Sequence, residues 1–140
     1  MSDVHSKTVR SYNMSMVKAK NTKPEMIVRM FLHARGFRYR LHVRSLPGKP
    51  DIILPKYKVA IQVQGCFWHG HDGCRYFVVP KTRTDWWMSK IQSNKHNDMK
   101  ATKALEDSGW RVIVIWECEI KPKFREKTLD GLVPQIKMIS

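Results

Sequence analysis

One stretch constrains the fold more than any other. Residues 84 to 109, TDWWMSKIQSNKHNDMKATKALEDSG, stand between two apolar β segments and carry helix signals at both ends. Thr84 with Asp85 reads as a helix start and Gly109 as a stop, with residues 94 to 98 a weak patch within. The segment before it, KVAIQVQ, reads as a strand. The segment after it, WRVIVIW, reads as a short, continuously apolar strand of the kind buried on both faces. A helix between two strands allows them to run parallel. Upstream, DIIL is another strand, joined to KVAIQVQ by the turn PKYK. FRYRLHV alternates, with Phe37, Tyr39, Leu41 and Val43 on one face and Arg38, Arg40 and His42 on the other. SLPGKP is turn chemistry. Pro24 after Thr22 or Asn21 starts a first helix, with Ile27, Met30, Phe31 and Ala34 at helical spacing and Gly36 ending it. Leu129, Leu132, Val133 and Ile136 mark a last amphipathic helix. The order of helix, three strands, helix, strand, helix predicts an α/β chain with a mixed central sheet flanked by helices. Residues 1–23 read as a basic arm and 24–140 as one domain.

Charge narrows the partner. Lys plus Arg number 26 against 12 for Asp plus Glu, a net +14, and a field of that sign and size draws polyanions. No terminal helix sets a basic face against an apolar one, and no apolar run approaches a membrane span, so a membrane is not expected. Three cysteines, an odd number, argue against a disulfide framework and suit a reducing compartment. The first residues lack the apolar core of a secretion signal, so an intracellular protein is expected.

QGCFWHGHDGC, residues 64 to 74, crowds metal ligands and aromatics into one loop. Cys66 and Cys74, a histidine between them, and Cys118 from beyond the last strand would satisfy a tetrahedral zinc ion. The plain alternative is a buried, inert Cys118 and a surface histidine. Spacing does not separate His69 from His71 as the ligand. A site closed by three cysteines and one histidine is saturated, hence structural, and leaves the other histidine for chemistry.

Asp51, at the mouth of a strand after Pro50, can hold a hard cation such as magnesium through oxygen, or simply cap a turn. Glu25 lies in a first helical turn, where the helix dipole favours a carboxylate. His5 and His69 gain a catalytic reading only if they converge on Asp51. Phe67 with Trp68, and Trp86 with Trp87, are adjacent pairs that cannot both face one way. An outward ring on a basic surface can stack on bases or wedge a base step, and Met14 on the arm can do the same.

Five segments then resemble, in order, the very short patch repair (Vsr) mismatch endonucleases: DVHSKTVRSYNMSMVKAKNTKPE, SLPGKPDIIL, GCFWHGHDGC, PKTRTDWW and GWRVIVIWEC. The resemblance covers residues 3 to 118. It implies a restriction-endonuclease-like fold and a Mg²⁺-dependent nick 5′ to the thymine of a T:G mismatch, the product of 5-methylcytosine deamination. It implies that Asp51 binds magnesium, that Val63 lends its backbone carbonyl, that His69 activates or orients water, and that Glu25 hydrogen-bonds the metal's water, with His5 nearby. Cys66, His71, Cys74 and Cys118 match structural Zn²⁺ ligands. Phe67, Trp68 and Trp87 match aromatics entering DNA from the major groove, and Met14 matches a minor-groove wedge. Well-known members carry Thr-His where this chain has Val63-Gln64. A carbonyl survives the first change. The second exchanges a proton carrier for an amide, which can only orient water and shifts the base role to His69. The DG before Cys74 is a local departure. The implied partner is duplex DNA bearing the mismatch, met by a monomer in the bacterial cytoplasm or nucleoid, with mismatch-repair and repair-polymerase proteins as further partners. The rival classes are a nuclease of the same fold cutting matched DNA and a non-enzymatic zinc DNA-binding module.

Overall fold

A computed structural model describes residues 22–138, so the arm with His5 and Met14 lies outside the described residues. Helix α1, Lys23–Ala34, begins as the sequence suggests: Thr22 caps it, its hydroxyl accepting from the Glu25 N–H at 3.4 Å, and Pro24 fits the first turn. Its inner line differs from the predicted one. Glu25, Val28 and Leu32 are buried, Ile27 and Phe31 flank the core, and Met30 is 67% exposed. The helix is rotated so that a carboxylate, not a methionine, faces inward.

The sheet runs β1 (Arg40–Leu41), β2 (Ile52–Leu54), β3 (Val59–Gln64), β4 (Arg111–Trp116), in that spatial order. β1 with β2 and β2 with β3 are antiparallel; β3 with β4 is parallel, from Val59 opposite Arg111 to Gln64 opposite Trp116. The crossover is α2, Thr84–Asp107, unbroken through the weak patch. A final helix α3, Pro122–Lys137, follows a 3₁₀ turn at Glu117–Ile120.

Two strands depart from expectation. The strand foreseen over residues 37 to 43 pairs only at Arg40–Leu41, and directly after it His42 takes a left-handed backbone, φ 50°. β4 is not buried on both faces. It is the last strand of the order, only Ile115 is fully buried, and Val114 is 38% exposed.

Period-two alternation sorts the core into two layers. Ile52, Leu54, Val59 and Ile61 point to one side, where α1 and α3 contribute Val28, Leu32, Leu129, Leu132 and Ile136. Ile53 and Ala60 point to the other, under Leu105 of α2. Each fully buried aliphatic side chain contributes about 1.5–3 kcal/mol. The antiparallel turn sets the start of β2 beside the end of β3, and the parallel crossover sets the end of β4 there too. Asp51, Val63, Cys66 and Cys118 thus gather at one end of the sheet. No helix among the described residues is long and apolar enough to cross a membrane.

Candidate active site and metal centre

Asp51 enters the site from just before β2. Its Oδ2 accepts the Val63 N–H at 2.8 Å, a bond from side chain to neighbouring strand that fixes the carboxylate. Glu25, 1% exposed, faces it from α1. Its Oε2 lies 3.3 Å from the Arg29 guanidinium and 3.0 Å from His42 Nε2. His42 is held there by its own N–H, which donates to the Asp51 carbonyl at 3.0 Å. One donor atom each from Glu25, His42 and Asp51 lie within 4.8 Å of one another. The Asp51 carboxyl is raised from 3.8 to about 6. Burial is the main cause and the Glu25 charge adds to it, against the Val63 N–H, His42 and His69. Two carboxylates in a half-dry pocket are the donor set a hard cation fits, and its charge would relieve both.

His69 sits across a cavity of about 330 Å³ that Asp51, Gln62, Gln64, Asn97 and Asp98 also line. Its Nδ1 is 2.6 Å from Asp98 Oδ2. A carboxylate at that nitrogen favours the tautomer that donates from Nδ1 and leaves Nε2 for proton transfer. Gln64 is nearly buried and lines this cavity and a second one, of about 370 Å³, with Phe67, Trp68 and Lys23. His69 and Val63 border both.

The second cluster joins Cys66, His71, Cys74 and Cys118, whose donor atoms also lie within 4.8 Å of one another. Of the two histidines that spacing leaves open, it is His71 that joins the three thiols; its Nδ1 is 3.5 Å from the Cys118 sulfur. Local hydrogen bonds shape the loop: His71 N–H to the Cys66 carbonyl and Cys74 N–H to that of His71. Cys118 arrives on the 3₁₀ turn, closed by Glu119 Oε1 accepting the Trp116 N–H at 2.8 Å. The Trp116 ring stacks on His71 with centroids 4.0 Å apart and planes 3° apart. Burial, then the neighbouring thiols, push the Cys66 thiol up to about 12. Burial also raises Cys118, while Cys74, despite burial, is held below its ordinary value by the N–H groups of Tyr76 and Phe77 and the other thiols. Three thiols and an imidazole at this spacing fit a tetrahedral zinc ion, which would deprotonate them.

The loop between the clusters carries Phe67 and Trp68. With Trp87 they form a triangle of rings 5.3 to 5.7 Å apart. Trp86 is the outward member of its pair, 47% exposed, with the Arg83 guanidinium 4.9 Å from its ring centre. Helix α2 fastens the loop: Asn94 donates to the Trp68 carbonyl at 2.8 Å, and Lys95 reaches Asp72 at 3.0 Å. Gly70, at φ 59°, lies so close that a Cβ would stand 2.7 Å from Ile91 Cγ2.

The family resemblance named Asp51, Glu25, Val63, Gln64 and His69, which lie close together in the structure, and left out two neighbours. His42 was assigned to the solvent face by alternation; the turn that follows it was the only available signal. Asp98 was passed over as part of a weak helical patch. A local propensity conflict of that kind is itself a signal of function.

Comparison with known proteins gives the family. A family model described as DNA mismatch endonuclease Vsr matches residues 2–75. The type II nicking enzyme V.NmeAIP of Neisseria meningitidis is 46% identical over 139 residues, 98% of each chain. The type II nicking enzyme V.XorIIP of Xanthomonas oryzae is 48% identical over 120 residues, 86% of this chain and 88% of its own. The DNA mismatch endonuclease Vsr of Escherichia coli is 40% identical over 130 residues, 93% of this chain and 81% of its own.

Proposed function

Since the chain belongs to the Vsr family of DNA mismatch endonucleases, a family of DNA-cleaving hydrolases, we propose that it nicks one strand of duplex DNA on the 5′ side of the thymine in a T:G mismatch. The observation that carries this reading is the convergence of Asp51, Glu25 and the His69–Asp98 pair beside a half-buried aromatic triangle. A cutting centre and a distortion-sensing surface stand within one loop of each other.

In this reading Asp51 and the Val63 carbonyl would hold Mg²⁺, which would supply charge neutralisation at the scissile phosphate and activation of the attacking water. Residue by residue, the protein then does the following. Glu25, paired with Arg29, accepts hydrogen bonds from water in the pocket. His69, oriented by Asp98 through Nδ1, takes a proton at Nε2. Gln64 orients water and carries no proton. Phe67, Trp68 and Trp87 press into the base stack from the major groove, at a step that a wobble pair makes easier to open. The basic arm, residues 1–23, places Met14 in the minor groove and His5 near the site, while 24–140 forms one catalytic domain of restriction-endonuclease-like fold. Zn²⁺ at Cys66, His71, Cys74 and Cys118 is structural, since four protein ligands leave no open position. The enzyme acts as a monomer on DNA in the bacterial cytoplasm, upstream of mismatch-repair and repair-polymerase proteins.

The test is strand-resolved cleavage of duplexes that differ only in T:G against C:G, with and without magnesium. Cutting is expected in the T strand of the mismatch alone, only with the metal, and Asp51→Ala is expected to abolish it while duplex binding stays near wild type. Equal cutting of matched DNA would point to a restriction-type nuclease; binding without any cutting would point to a zinc DNA-binding module.

A further inference from the structure

We infer that His42 is the third side-chain ligand of the Asp51–Glu25 cation site, and that this mixed nitrogen–oxygen site holds Mn²⁺ in preference to Mg²⁺. The inference rests on the reading of Asp51 as the metal-binding acid and departs from it in making Glu25, with His42, a direct ligand rather than a partner of the metal's water.

Three independent observations point at the ring. The first is the backbone. His42 has φ 50°, a region that costs a residue with a Cβ of order 1–3 kcal/mol and persists only where the surroundings demand it. Continued β alternation would have sent this side chain outward beside the exposed Arg40; the left-handed turn swings it toward the acids instead. The second is the ring nitrogen. Nε2 is shut off from solvent and, though 3.0 Å from Glu25 Oε2, has no aligned hydrogen bond. A buried polar atom left so costs about 1–3 kcal/mol. The third is the spacing. Donor atoms of Glu25, His42 and Asp51 lie within 4.8 Å of one another, a set that a single ion with bonds of about 2.0–2.3 Å can gather with small side-chain shifts. The backbone bond from His42 N–H to the Asp51 carbonyl keeps ring and acid on adjacent strand ends, so the pair is positioned before any ion arrives.

The ligand chemistry sets the preference. Magnesium takes oxygen and sheds its water reluctantly, whereas an imidazole nitrogen favours first-row transition ions. Two carboxylates keep the site hard enough for manganese rather than copper.

The experiment uses zinc-loaded full-length protein, Mn²⁺ and Mg²⁺ as probes, calorimetric titration and pulsed electron paramagnetic resonance of bound Mn²⁺. Wild type is expected to bind Mn²⁺ at least about 10-fold more tightly than Mg²⁺ and to show a directly coordinated ¹⁴N. His42→Gln keeps an oxygen donor at the position; it is expected to lose the ¹⁴N coupling, to weaken Mn²⁺ by roughly 10- to 100-fold and to leave Mg²⁺ nearly unchanged. His69→Gln is expected to keep the coupling, which assigns the nitrogen even if the His42 variant folds poorly. Mn²⁺ binding that needs Asp51 but lacks ¹⁴N coupling, or coupling that survives in folded His42→Gln, overturns the inference and leaves the nuclease reading standing. Binding of Mn²⁺ unchanged by Asp51→Ala overturns both.

Discussion

An ionised Asp51 shares its pocket with the buried carboxylate of Glu25, and the protein destabilises itself to keep the pair. Folding raises the Asp51 carboxyl from 3.8 to about 6, so the charged form opposes folding. The cost is absent below about pH 3.8, grows between there and 6, and is complete above 6. Asp51→Asn, which keeps an oxygen to accept the Val63 N–H, is therefore expected to stabilise the magnesium-free, zinc-loaded protein at pH 8 by up to about 3 kcal/mol, the gain vanishing near pH 4. Urea unfolding at the two pH values checks this; an equal gain at both would contradict it. At this scale the sequence was half legible. The cysteines stand out by residue type, whereas Asp51 reads equally well as a turn cap and gains its role only through the family resemblance. Glu25 looked like a helix-dipole residue because helical spacing alone does not fix which line turns inward. His42 was illegible, because its placement depends on one backbone angle.

Among the elements, α2 is both crossover and clamp. Asn94, Lys95 and Asp98 each hold the aromatic loop, and Gly70 leaves no room for a Cβ against Ile91. Gly70→Ala combines left-handed strain with a Cβ 2.7 Å from Ile91, so it is expected to lower stability by about 1–3 kcal/mol and to slow nicking as the loop is displaced. Gly73→Ala, also left-handed but with nothing within 4 Å of its Cβ, is the control and is expected to cost less. Denaturant unfolding and T:G nicking of the two variants give the comparison; equal losses would remove α2 packing from the explanation. Element order and type were readable from periodicity and turn residues, and the parallel crossover followed from α2. The exposure of β4 was not, because an apolar run looks alike in a central strand and in an edge strand whose one partner is buried.

For the molecule as a whole, the +14 charge is expected to govern capture of DNA and the proposed aromatic wedge the choice of site. Binding of matched and mismatched duplexes is expected to weaken in parallel as salt rises, with a log–log slope of about −0.9 per phosphate contacted, while the T:G preference in cutting holds. Fluorescence anisotropy across 50 to 200 mM salt, a range over which about 10³–10⁵ in affinity is lost at 6–10 contacts, would reveal divergent slopes. Charge and family were plain in the sequence; the gathering of both clusters at one sheet end was not, since it needs the strand order. That gathering has a consequence for how the chain matures. The first three thiol and imidazole donors lie within nine residues, but the last, Cys118, comes only after the helix has crossed and β4 has docked. If one metal takes all four donors, a growing polypeptide cannot complete that site until β4 is in place. Full metal capture would then mark a finished sheet.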